Sequence, residues 1–278
     1  MVQIGLITAS TYYALTAMWW LIQLTKHYHF MKQRHCDYFS SVTYHCCAWD
    51  KKHPVEGVFK VISSLAIAIS LFSFSGATKV QFLTNREIAT IFMFFMISGV
   101  MDILVRWSGR TFYQQLDYVA LLLFFAIQSV VFVSRSQSSE QPLTMLYSLM
   151  LYTSLATLAA TAMEMRYRDQ VLCSVMRSYL LLTQGTWGLQ VAFIVEDKSL
   201  MVNTDSDDIL LTAMYFTWHC GINFFLVLSI WLIVFKMLQK QLCCCVAVDT
   251  AAGQDTIYLE NRVHFDYHVL DRFESDVE

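Results

Sequence analysis

The sequence is short of the residues that interrupt helices, and short of charge. Only two prolines occur in 278 residues, Pro54 and Pro142, and both fall between the long apolar runs. Straight helices are therefore expected, because no run contains a residue that lacks a backbone donor. Charged residues make up 15% of the chain, where a soluble domain carries about 25%. Hydrophobic residues make up 56%, which excludes disorder over most of the length. A net charge of −3 with no basic block speaks against a nucleic-acid partner. Short alternating segments of the kind that build a membrane β-barrel are also missing.

What remains is long apolar runs. Crossing a hydrocarbon layer as a helix takes about 20 mostly apolar residues. Seven stretches meet that need: Ile4–Leu24, Gly57–Gly76, Glu87–Val105, Gln115–Val133, Leu143–Met163, Val171–Ile194 and Ile209–Met237. The expected fold is all-α, a seven-helix transmembrane bundle in a lipid bilayer, with a spanning domain over 1–242 and a disordered acidic cytosolic tail over 243–278. The first run has no positive flank before it and is longer than a signal-peptide core, so it is read as a retained helix. Gly99, Gly185, Gly188 and Gly221 lie inside runs, where a missing side chain lets helices approach closely.

Lysine and arginine mark the cytoplasmic side of short loops. With the N-terminus outside or lumenal, the inner segments hold eleven of them, Lys26, Lys32, Arg34, Lys51, Lys52, Arg106, Arg110, Arg166, Arg168, Lys236 and Lys240. The outer segments hold four, Lys79, Arg86, Arg135 and Lys198. The expectation is thus a multi-pass protein of the plasma membrane or endomembranes with a cytosolic C-terminus. Trp19, Trp20 and Trp107 stand where interfacial aromatics belong.

Cysteines leave the outer loops empty, so no extracellular disulfide is expected. Cys243, Cys244 and Cys245 follow the last run and are sites for S-palmitoylation. The first inner loop collects Cys36, Cys46 and Cys47 with His27, His29, His35, His45 and His53. Their spacing matches no zinc motif, and the loop is read as a polar interfacial segment with no metal and no cofactor. The tail from Val246 carries eight acids and two bases, a net −6 that leaves +3 on the rest. Within it, Tyr267-His-Val-Leu270 has the form of a tyrosine-based sorting signal for a cytosolic adaptor.

Ionisable side chains inside spans are costly and point to function. Asp102, Glu164, Arg177 and His219 are such residues, with Gln184, Gln190, Tyr215 and Asn223 near them. The up-and-down order puts Asp102, Glu164 and Arg177 at similar depth, with Arg177 about 9 Å inside the boundary. Pairing of Arg177 with one carboxylate is the simplest expectation. Thr212, Tyr215, His219 and Asn223 share one helix face by spacing. Two readings stay open: a hydrogen-bond network that fixes helix packing, or a ligand, proton or metal site.

Around these residues the chain resembles the transmembrane protein 45 family, also called the transmembrane epididymal protein family. The resemblance rests on Ser98-Gly99-Val100-Met101-Asp102, on Glu164 with Arg168-Asp169, on Gln184-Gly185-Thr186-Trp187 followed by Gln190 and Phe193, and on Trp218-His219. It runs from about Asn85 to Leu238. It implies a seven-helix membrane protein whose biochemical activity is not established. The histidines this family carries around its fourth and fifth helices have no counterpart in Gln128–Ser148, so a histidine-based site is not expected here.

The leading functional expectation is a non-enzymatic membrane protein acting through trafficking or partner binding. A small-molecule receptor is the alternative, but Asp102-Ile-Leu-Val-Arg106 lacks an Asp-Arg-Tyr triplet, and the last helix has no lysine before Lys236 for a retinal Schiff base. A transporter or intramembrane enzyme would use Asp102, Glu164 and His219. No spacing supplies the metal or the nucleophile–base pair that hydrolysis requires.

Overall fold

A computed structural model of the chain describes residues 4–33, 36–44, 54–73, 79–108, 115–138, 143–196 and 206–239. Among the described residues the chain is all-helical, as expected: α1 Ile4–Gln33, α2 Val55–Ser73, α3 Lys79–Ser108, α4 Leu116–Ser138, α5 Leu143–Arg166, α6 Val171–Glu196 and α7 Ser206–Gln239. The chain divides into two units, 1–236 and 237–278. Of the second unit only 237–239, the end of α7, is described.

Two helices outrun the apolar stretches that announced them. α1 continues from Leu24 to Gln33, and α3 starts at Lys79 rather than near Glu87. Apolarity sets where a helix may lie in lipid, whereas helicity can continue beyond the apolar run where no breaker intervenes. Thr25–Gln33 holds neither glycine nor proline.

Among the described residues five helices are long and apolar enough by themselves to cross a membrane: α2, most of α3, α4, α5 and most of α7. α1 and α6 are long but more polar, and their polarity has a structural cause. The two pack against each other and bury Ser10, Gln23 and Thr25 on one side and Ser174, Arg177, Ser178, Thr183 and Gln184 on the other. A helix that faces other helices rather than lipid can hold such groups if they find partners. Around this pair, α3 lies on α1, α4 on α3, α5 on α4 and α6 on α5, which closes a ring, and α2 packs outside on α3. Tyr13, Trp20, Phe92, Phe95, Phe124, Phe125 and Trp187 fill the centre. Tyr13 stacks on Phe92 with centroids 6.0 Å apart, and Phe95 meets Phe124 at 4.8 Å.

Two crossings depend on glycine. At Gly185 a Cβ would stand 2.6 Å from the backbone nitrogen of Ala14 and 2.8 Å from the Ser10 carbonyl, so α1 and α6 touch backbone to backbone. At Gly99 a Cβ would meet the Gly57 carbonyl at 3.0 Å and the Lys60 Cβ at 2.9 Å. Gly221 differs from the expectation: nothing lies within 4 Å of it. α7 is the least enclosed helix, with Leu210, Trp218, Ile222 and Phe225 all exposed, and its glycine faces outward.

Replacing Gly185 by Leu is expected to destabilise the folded protein by at least the ~1–3 kcal/mol of an overpacked core. The drop should appear as a lower Tm in detergent, while Gly221→Leu leaves Tm unchanged. Equal behaviour of the two variants would contradict the α1–α6 contact.

Candidate functional site

The site begins at the α2–α3 crossing. Gly99 lies against the Lys60 Cβ and Gly57 against the Asp102 Cβ, so the two long side chains run side by side. Lys60 Nζ donates to Asp102 Oδ2 at 2.7 Å, with both side chains almost fully buried. Glu56, one turn before Lys60, stands 3.6 Å from the same ammonium. Its carboxylate also accepts from Trp20 Nε1 at 2.8 Å and from the Tyr44 backbone amide at 3.0 Å.

Trp20 joins this group to a second pair. The Lys60 ammonium lies 5.2 Å from its ring centroid and the Arg177 guanidinium 4.8 Å. Cations over an indole gain from the ring quadrupole, more so when desolvated. Arg177 Nε lies 3.2 Å from Glu164 Oε2, with both side chains at 0% exposure. That contact is an ion pair without an aligned hydrogen bond, since neither atom has a hydrogen-bond partner among the described residues. The other oxygen of Glu164 is well served, accepting from Ser174 Oγ at 2.9 Å and Tyr118 Oη at 3.2 Å.

A segment between α1 and α2 closes this end of the bundle. Ser40 Oγ lies 3.0 Å from Tyr118 Oη, and Tyr38 Oη lies 3.1 Å from Ser174 Oγ. The Ser40 amide donates to the Arg168 carbonyl at 2.7 Å, and Arg168 returns a bond to the Ser40 carbonyl at 3.0 Å. Arg168 also lies over the Phe39 ring at 4.0 Å. Burial pushes the Tyr38 phenol up to about 12 and the Tyr44 phenol well above its ordinary value. Both hydroxyls therefore stay protonated beside Glu164. The polar loop read from the sequence is thus partly interior: Ser40, Val42 and Tyr44 are buried. A recess lined by Thr43, Tyr44, Pro54, Glu56, Gly57, Asp102 and Arg106 sits beneath it.

The expected meeting of Arg177 with a carboxylate occurs, and the partner is Glu164. Asp102 belongs to the same network but pairs with Lys60. Lys60, Glu56 and Trp20 were not anticipated. Lys60 stands near the start of the second apolar run, where a lysine reads as a flanking charge, although its spacing from Glu56 offered an i,i+4 pair. Trp20 reads as an interfacial anchor but is fully buried, because its indole N–H serves Glu56; Trp107, 75% exposed, keeps the interfacial character.

The α7 residues are only partly drawn in. Asn223 is buried and donates to Thr186 Oγ1 at 2.8 Å and Thr183 Oγ1 at 3.3 Å. His219, half-buried, meets the Trp187 ring edge-on at 5.6 Å. Tyr215 is exposed, as is Trp218 at 64%, so the Tyr215–His219–Asn223 face expected from spacing is not wholly inward. The inward stripe runs instead through Phe216, His219 and Asn223. Gln184 is fully buried with neither amide atom hydrogen-bonded among the described residues, and Gln190 is half-buried. Ser98 is buried and Asp169 is exposed, accepting from Gln170 at 2.9 Å. Among the described residues no group of three His, Cys, Asp or Glu could hold a metal ion. Cys243, Cys244, Cys245, Tyr267 and Leu270 lie outside the described residues.

Removing one member of a buried pair strands the other, at about 3–5 kcal/mol. Glu164→Gln or Arg177→Met alone should therefore lower denaturation midpoints sharply, while Glu164→Leu with Arg177→Met together should cost far less. Additive losses would contradict direct pairing. His27, beyond the first apolar run, has Nε2 3.2 Å from the Phe39 carbonyl, and burial holds its pKa below the ordinary value. The fold then favours the neutral ring, so stability should fall as pH drops from about 6.5 through that depressed pKa. A His27→Gln variant should show a flatter Tm–pH curve, and an unchanged slope would rule His27 out as its source.

Comparison with known proteins bears on the same helices. Residues 114–232, from the start of α4 into α7, match the family of unknown function DUF716. Transmembrane epididymal protein 1 of Rattus norvegicus is 25% identical over 145 residues, which are 51% of this chain and 48% of that protein. The chain thus spans about half the length of this curated relative. Over residues 114–232 this chain is therefore similar to the family of unknown function DUF716, and over about half of its length it is similar to a transmembrane epididymal protein.

Proposed function

We propose that this integral multi-pass membrane protein spans the bilayer seven times, N-terminus outside or lumenal and C-terminus cytosolic, and acts without catalysis, through trafficking or partner binding. One observation carries the non-catalytic part. The buried cations of the described interior each hold carboxylates, Lys60 with Asp102 and Glu56, and Arg177 with Glu164, around one buried indole. A charge held this way has its field spent on its neighbour and serves helix packing. Sites for partners then belong to the surface and to the segment beyond the spans. The spanning domain covers 1–242. Over 243–278, acylation of Cys243–Cys245 would hold the acidic tail at the membrane surface, and Tyr267 and Leu270 would present a sorting signal as an added strand.

A small-molecule receptor or transporter using a polar site inside the helix bundle is the second reading, and the buried cluster of Glu56, Lys60 and Asp102 is what favours it.

Antibody uptake on cells displaying an outward epitope tests the leading reading. Tyr267→Ala with Leu270→Ala is expected to slow internalisation several-fold and raise the surface pool. An unchanged uptake rate would overturn the sorting assignment. Replacement of Cys243, Cys244 and Cys245 by Ser is expected to abolish thioester labelling by acyl exchange, and retained labelling would overturn the acylation.

A further inference from the structure

The two ion pairs of the interior differ in their access to water. Glu164 and Arg177 are sealed, both at 0% exposure. Asp102 is buried too, yet it lines the recess whose other walls include the half-buried Thr43, Pro54 and Arg106. The recess has room for about one water. Asp102 Oδ2 is taken by Lys60, while its other oxygen, Oδ1, has no hydrogen-bond partner among the described residues. A buried carboxylate oxygen left bare is costly, and the recess that Asp102 lines is where a donor would be held.

The charge count adds a second argument. Lys60 serves two carboxylates, Asp102 at 2.7 Å and Glu56 at 3.6 Å. The remaining donors to Glu56, Trp20 Nε1 and the Tyr44 amide, are neutral. Two carboxylates compete for one ammonium, with Arg106 as a second cation along the same recess, and a carboxylate pair of this kind readily shares a proton. The other charged or titratable groups around Asp102 and Lys60 are Arg106 on α3, Tyr44 in the loop, Tyr12 on α1, Asp117 on α4, and Arg177 on α6. Arg177 is already matched by Glu164.

We propose that the recess is a one-water port through which Asp102 binds and releases a proton, a proton-binding site inside the spanning helices that opens at the end closed by residues 36–44. In acid, hydronium in the recess gives its proton to Oδ1 and remains as water; in base, hydroxide takes that proton back as water. When Asp102 is neutral, Lys60 keeps a carboxylate partner in Glu56, so the network holds in both states. Glu164 has no such port and does not exchange.

Infrared difference spectroscopy of the full-length protein in lipid nanodiscs, stepped from alkaline to acid buffer, tests this. A protonated-carboxyl band is expected to appear, to move with ¹³C-aspartate but not with ¹³C-glutamate labelling, and to shift within seconds of transfer to D2O. It should be lost in Asp102→Asn and persist in Glu164→Gln. Asp102→Glu keeps a carboxyl in the port; there the band should survive but answer to the glutamate label. Absence of any acid-induced band, sensitivity to the glutamate label in the unmodified protein, persistence in Asp102→Asn, or failure to exchange in D2O would each overturn the assignment.

Discussion

Hydrocarbon cannot solvate a charge, and this structure answers that constraint with one indole. Trp20 takes Lys60 on one side and Arg177 on another and gives its N–H to Glu56. Through it, residues of α1, α2, α3, α5 and α6 meet in a single buried group. Each carboxylate–cation pair alone would repay little of its desolvation. Linked pairs repay more, because the ring stabilises both cations and hydroxyls from Ser174 and Tyr118 donate to one oxygen of Glu164.

The packing follows from that requirement. Lys60 reaches Asp102 only because Gly57 and Gly99 let α2 and α3 cross closely, and α6 carries Arg177 to Trp20 only because Gly185 lets it lie against the backbone of α1. The segment 36–44 then seals the end of the bundle, trading backbone bonds with Arg168 and hydroxyl bonds with Tyr118 and Ser174. α7 stands largely outside this arrangement. It joins α6 through Asn223 and the Trp187–His219 contact, and presents most of its apolar surface outward, as a helix facing lipid can.

Helix number and order were legible because hydrophobic runs of spanning length leave few alternatives to helices. That Asp102, Glu164 and Arg177 come near one another was legible too, since alternation of direction fixes which helix ends lie together. Partner choice was not. Arg177 had two carboxylates at similar depth, and only the neighbour relations of the helices select Glu164. Lys60 escaped notice because a lysine near the start of a run normally reaches back to the interface. Here the close α2–α3 crossing holds it inward. Tyr215 misled in the opposite way: helical spacing places it beside His219, but α7 is too loosely packed for its whole polar face to be covered.

The sequence by itself determined that this is an all-helical membrane chain, where its helices lie, and which residues carry charge into them, because burial in lipid is decided by composition along a run. Tertiary structure alone decided which charges meet, that Trp20 stands between them, and that Asp102 lines a recess. Those depend on the rotation and crossing of neighbouring helices, which a few glycines permit and which no local pattern of hydrophobicity encodes.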